Sequence, residues 1–189
     1  MIKAVIFDCF GVVRIDAFDA VYQSFGGDIV KDHDFIMDTL YAVNSGRIGS
    51  TADAFSKHLG VDPKAWSAAI VKGSTLNEAL LSYILDLRAS YKVAMLTNIS
   101  KGGLGRIFEQ GFLDQYFDTV VASGDIGYAK PEPEAYREVT KRLDVRFDES
   151  VFIDDRQDYI DGAQAVGMKT ILFKSNIQLK KDLAPLISN

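Results

Sequence analysis

Cysteine is almost missing from this chain of 189 residues: Cys9 is the only one. That excludes an internal disulfide framework and any cysteine-rich zinc site. Histidine is nearly as scarce, with two residues, and neither His33 nor His58 has a Cys or a second His at ligand spacing. No apolar run approaches the roughly 18 residues needed to span a bilayer. The opening residues meet Asp8 before the apolar region of a signal peptide could form. Charge is only mildly unbalanced toward acid, since 21 Lys+Arg against 26 Asp+Glu give −5 at neutral pH. With no basic stripe, nucleic acid is not an expected partner. Internal repeats, low-complexity tracts and charge blocks are absent as well. The expectation is a cytoplasmic protein that engages neither nucleic acid nor membrane.

What is present is the balance of an ordinary globular protein, 48% hydrophobic and 25% charged. Short apolar, β-branched runs occupy residues 4–7, 93–96, 119–122, 151–153 and 169–173. Runs this short without a polar face suit strands buried between helices. Helix-like segments lie between them at 76–89, 102–110, 132–143 and 157–166, the last stopped by Gly167. Strand alternating with helix predicts an α/β fold with a mainly parallel sheet. Residues 16–75 hold no convincing strand and read as short helices at 17–25, 32–45, 51–59 and 62–71. The expected organisation is therefore a core domain of residues 1–15 and 76–189 with a helical domain of residues 16–75 inserted into it. A small domain across the end of a sheet can act as a lid.

Ligands of open α/β sheets sit outside the carboxyl ends of the strands. The expected strands end in Asp8, in Thr97-Asn98 and in Asp154-Asp155, and Lys130 follows the third of the series in Tyr-Ala-Lys-Pro. Carboxylates gathered this closely raise one another's pKa values unless a cation joins them. Mg²⁺, a hard ion with oxygen ligands, fits better than zinc. Lys130 and Thr97 would then offer positive charge and a hydrogen bond to an anion, the equipment for phosphoryl chemistry. Taken singly, each residue has a plainer reading. Asp8 and the Asp154-Asp155 pair could be turn or helix caps, Thr97-Asn98 a strand-to-helix cap, and Lys130 a solvated loop lysine. Cys9 reads as a small buried hydrophobe pointing away from Asp8. The glycines at 102, 103 and 105 lack the full dinucleotide pattern.

Asp8-Cys9-Phe10-Gly11-Val12-Val13, Leu96-Thr97-Asn98, Lys130-Pro131-Glu132-Pro133 and Ile153-Asp154-Asp155 occur in that order. The ordered set resembles the haloacid dehalogenase-like hydrolase superfamily, over the whole chain. The resemblance implies a Rossmann-like core with a helical cap inserted after the first motif. It implies Asp8 as a nucleophile that becomes an aspartyl phosphate. Asp8, Asp155 and the main-chain carbonyl of Phe10 would bind Mg²⁺, with Asp154 acting through water. Thr97, the Asn98 amide and Lys130 would hold the phosphoryl group of a small phosphorylated substrate.

One position departs from the pattern. Family phosphatases usually carry a second Asp two residues after the nucleophile, where this chain has Phe10. That Asp serves as general acid and base, a contribution of about 10²–10⁴-fold. Its absence suits a substrate with a good leaving group, such as an anomeric sugar phosphate or an acyl phosphate. Asp16 or a substrate hydroxyl could also substitute. The family's metal-free dehalogenases share an aromatic residue at this position. They resemble the chain at Asp8, Asn98, Lys130 and Tyr136, with Arg47 as a possible cap arginine. Their last motif differs, however, and Tyr159 stands where they place an Asp that prepares water. Paired acids beside an anionic substrate need a metal, so a Mg²⁺-dependent phosphatase is favoured. A dehalogenase-type hydrolase, or a phosphate-binding protein that has lost turnover, stays open. Arg14, Arg47 and Arg156 are candidate substrate contacts.

Overall fold

The computed structural model describes residues 1–15, 17–44 and 50–187. In chain order the strands are β1 (Ala4–Phe7), β2 (Arg14–Ile15), β3 (Thr75–Leu76), β4 (Lys92–Thr97), β5 (Thr119–Ala122), β6 (Ser150–Asp154) and β7 (Lys169–Leu172). The helices are α1 (Phe18–Ser24), α2 (His33–Asn44), α3 (Thr51–Leu59), α4 (Pro63–Gly73), α5 (Glu78–Arg88), α6 (Ser123–Ile126), α7 (Pro133–Leu143), α8 (Gln157–Ala165) and α9 (Asn176–Ile187). Five strands form one sheet in the order β5-β4-β1-β6-β7, and every pairing is parallel.

Alternation along β1 explains the layers. Val5 and Phe7 face one side with Leu80, Leu81 and Ile84 of α5 and Leu179 and Leu183 of α9. Ala4 and Ile6 face the other with Ala135, Tyr136 and Val139 of α7 and Ile160 and Ala163 of α8. Both faces are covered, which is why the strands read as continuous apolar runs. Cys9 is fully buried within the first of these clusters. Between β2 and β3, helices α1 to α4 gather a separate cluster around Val21, Tyr22, Ile36, Phe55 and Trp66. Ser50 caps α3, and Asp62 caps α4 with Pro63 in its first turn.

Three expectations need correction. Residues 102–110 do not form a helix; a 3₁₀ turn at Leu104–Arg106 is all that appears. Gly102 takes a φ of +68°, and two further glycines at 103 and 105 remove the helix preference. The segment read as strand-free contributes Thr75, which with Leu76 pairs antiparallel to Arg14 and Ile15. This two-residue ribbon joins both crossings between the sheet and the helical insert, and it delays α5 to Glu78. The carboxyl-terminal α9, held by Leu179 and Leu183, has no counterpart among the expected helices. Among the described residues no helix is long and apolar enough to cross a membrane.

Candidate active site

Adjacent parallel strands ending together bring their terminal residues into one crevice. Asp8 follows β1, while Thr97 closes β4 and Asp154 closes β6 on either side of it. Lys130 enters from the loop before α7. Its Nζ lies 2.7 Å from Asp8 Oδ1 and 2.6 Å from Asp154 Oδ2, and the side chain is fully buried. Asn98 holds that loop in place: its Nδ2 donates to the Lys130 carbonyl at 2.9 Å and its Oδ1 accepts the Lys130 N–H at 2.8 Å. The Asn98 side chain is therefore engaged with protein. Asp154 Oδ1 accepts the Arg156 N–H at 3.0 Å. In the same loop, Glu132 accepts a hydrogen bond at 2.8 Å from Tyr41 of α2, a link between the insert and the sheet.

One ammonium among three carboxylates leaves the crevice short of positive charge. Burial raises the Asp8 carboxyl to about 8; Asp154 adds to the shift and Lys130 opposes it. Loss of hydration and then Asp154 raise Asp155 to about 6, although its side chain stands at the open edge of the site. Burial works against the charge on Lys130, but Asp154 and Asp8 outweigh it and push its pKa up. Lys130 thus stays ionised, and burial with repulsion from Asp154 favours the neutral form of Asp8.

The donor set suits a hard divalent ion. Asp8, Asp154 and Asp155 each offer an oxygen, all within 4.8 Å of one another. Thr97 Oγ1 supplies a second sign of an intended ligand: it is fully buried and has no hydrogen-bond partner among the described residues. Leaving such a hydroxyl unpaired costs about 1–3 kcal/mol, which an anionic oxygen would offset. Gly11 lets the loop after β1 press against this set. Its φ is +83°, and a Cβ there would lie 2.3 Å from Asp155 Oδ2.

The remaining candidates divide. Arg156 borders the cavity and is paired with Asp158 at 2.7 Å. Arg14 is turned inward instead, donating to the carbonyls of Val71 and Ser74 at 3.3 Å, so it fastens the end of α4. The Tyr136 hydroxyl donates to the main chain of Tyr159 at 2.7 Å from within the core. Arg47 and Asp16 lie outside the described residues.

Two residues at the site were missed as contributors. The Tyr159 ring lies 4.8 Å from Lys130 Nζ, and its hydroxyl accepts from Asn98 Nδ2 at 3.2 Å; its place in the first turn of the helix after Asp154-Asp155 was the available signal. Arg106 was hidden in the glycine-rich segment expected to be helical.

A cavity of about 360 Å³ opens onto Asp8, Lys130, Asn98 and Asp155, with Phe10 beside them and α1 to α4 opposite. A wider hollow of about 890 Å³, bordered by Lys3, Arg88, Lys92 and Arg142, lies at the amino ends of β1 and β4. It is remote from the carboxylates.

The haloacid dehalogenase-like hydrolase family model matches residues 2–167. Pyrophosphatase PpaX of Bacillus cereus is 28% identical over 117 residues, covering 54% of this chain and 54% of that protein. Against this relative the chain thus spans about half the relative's length. D-ribitol-5-phosphate phosphatase of Bacteroides thetaiotaomicron is 25% identical over 211 residues, covering all of both chains. A solved HAD family enzyme from Bacteroides thetaiotaomicron, in complex with magnesium and inorganic phosphate, has a TM-score of 0.72 at 23% identity, covering 93% of this chain and 96% of that one. At that identity the likeness is one of fold. A family model covering residues 2–167, on a parallel sheet whose central strand leads into Asp8, makes this chain a member of the haloacid dehalogenase-like hydrolases.

Proposed function

We propose that the protein is a Mg²⁺-dependent phosphatase acting on a small phosphorylated molecule through an aspartyl phosphate on Asp8. The observation that carries this reading is the trio Asp8, Asp154 and Asp155 around a single lysine. Asp8, Asp155 and the main-chain carbonyl of Phe10 would hold the ion, with Asp154 acting through water. When bound, it supplies positive charge against the phosphoryl oxygens and the carboxylates. Relatives named as phosphatases at low identity, and a fold neighbour described with magnesium and phosphate, agree with this.

In the first step an Asp8 oxygen bonds to phosphorus, and the bond to the leaving oxygen breaks with its electron pair. Lys130, already against Asp8, balances charge on the nucleophile and the phosphoryl group. The Thr97 hydroxyl and the Asn98 main-chain amide donate to phosphoryl oxygens. Water then attacks phosphorus, the Asp8–phosphorus bond breaks, and phosphate leaves. No carboxylate at position 10 protonates the leaving group, so good leaving groups react first. Residues 16–75 act as a cap over the crevice, tied to it by the Tyr41–Glu132 hydrogen bond.

The competing reading is a metal-free dehalogenase, favoured by Phe10. Phosphate release from acetyl phosphate, with Mg²⁺ and with chelator, separates the two. The expected result is Mg²⁺-dependent release, no halide from 2-chloropropionate, and a gain of up to about 10²-fold in Phe10→Asp with a poor leaving group. Halide release indifferent to chelator would reverse the assignment. Tight phosphate binding with no turnover, even in Phe10→Asp, would mark a binding protein.

A further inference from the structure

The cavity is divided by polarity. Its sheet side carries the charges: Asp8, Lys130 and Asp155 within, Arg106 and Arg156 at the edge. Its insert side is apolar, built from Phe18 of α1, Leu40 of α2, Phe55 of α3, and Trp66 and Ile70 of α4. Among the described residues, the insert adds only two polar side chains to the lining, Thr51 and Ser67. Phe10 brings a further ring beside the nucleophile. The wall is also braced. Phe55 packs at 5.1 Å from Phe18 and 5.5 Å from Trp66, ring centre to ring centre, and both Phe55 and Trp66 are buried.

We infer that the leaving group is an apolar carbon skeleton, so that the substrate is an acyl or aryl monophosphate and not a polyol phosphate. This deepens the phosphatase reading and rests on it. A phosphoryl group anchored at Asp8 points the rest of the molecule at the insert. Carbon chains placed there leave water for aromatic and aliphatic surface, which is favourable for each methylene. A hydroxyl placed there loses its water and gains no partner, weakening binding by about tenfold apiece. Size sets a limit as well. A cavity of about 360 Å³ equals about a dozen water-sized volumes, so beyond the phosphoryl group it takes about six to nine carbons.

The test uses n-alkylphosphonates from methyl to octyl, which cannot be hydrolysed, titrated in Mg²⁺ by calorimetry and by emission of Trp66, the only tryptophan. Each added methylene should tighten binding by about two- to fourfold until the cavity is filled, then binding should level off. Affinity that ignores chain length would overturn the inference. So would a polyhydroxylated phosphonate of equal length binding as tightly, or no binding by any member of the series. Acetyl phosphate hydrolysis by the same preparation separates the two claims. Hydrolysis without chain-length dependence defeats the substrate class and leaves the phosphatase; chain-length dependence without hydrolysis defeats the phosphatase and leaves the cavity's preference standing.

Discussion

Asp8→Asn is expected to lower phosphate release from acetyl phosphate by about 10⁴-fold or more, while stabilising the protein in chelator. The two effects have one cause. Burial first, and Asp154 second, lift the Asp8 carboxyl from the ordinary aspartate value of 3.8 to about 8. Between those pH values the folded chain holds a proton that the unfolded chain has released, so stability falls as pH rises through this window. An amide carries no such penalty. The variant should therefore gain on the order of 1–3 kcal/mol at pH 8 in chelator, and the gain should shrink toward pH 4, where the folded carboxyl is neutral and the unfolded one is only about half ionised. Lys130 keeps its partner Asp154 in the variant. Urea unfolding at the two pH values checks the sign. A variant that is inactive and also less stable at pH 8 would mean that Asp8 is a structural ion-pair partner.

Lys130→Met should be damaging in both respects. The lysine is the buried cation held between Asp8 and Asp154 at 2.7 and 2.6 Å. Methionine fills similar space without charge, leaving the two carboxylates facing each other. Breaking a buried pair in this way costs about 3–5 kcal/mol, and loss of charge stabilisation at the phosphoryl group should slow turnover by about 10³-fold. Mg²⁺ should restore part of the stability, because it neutralises the same carboxylates. Urea unfolding with and without Mg²⁺ measures both quantities. A loss under about 1 kcal/mol, unaffected by Mg²⁺, would show that Asp8 and Asp154 do not depend on Lys130.

The sheet was legible in the sequence because each of its strands is covered on both faces, which writes a short apolar run into the chain. Asp8, Thr97 and Asp154 were legible because strand ends in a parallel sheet converge by construction. What escaped had weak local signals. A two-residue ribbon such as Arg14–Ile15 with Thr75–Leu76 carries no periodicity, and the inward turn of Arg14 depends on where α4 ends. The segment at 102–110 forms no helix because the backbone freedom of its glycines prevails, with Gly102 at a positive φ. The Asn98 side chain holds the backbone of Lys130, a partner distant in sequence that no local pattern announces. Tyr159 reached the site only through the packing of α8. The polarity of the cavity wall was equally out of reach, since it needs four helices brought face to face with the sheet.

The most direct measurement of the central claim is an acid quench during turnover of acetyl phosphate labelled in its phosphoryl group, followed by peptide mapping. Mg²⁺-dependent label on the peptide carrying Asp8, absent from Asp8→Asn, is the predicted result. Steady release of phosphate with no phosphoryl group on Asp8 at any time point would contradict it.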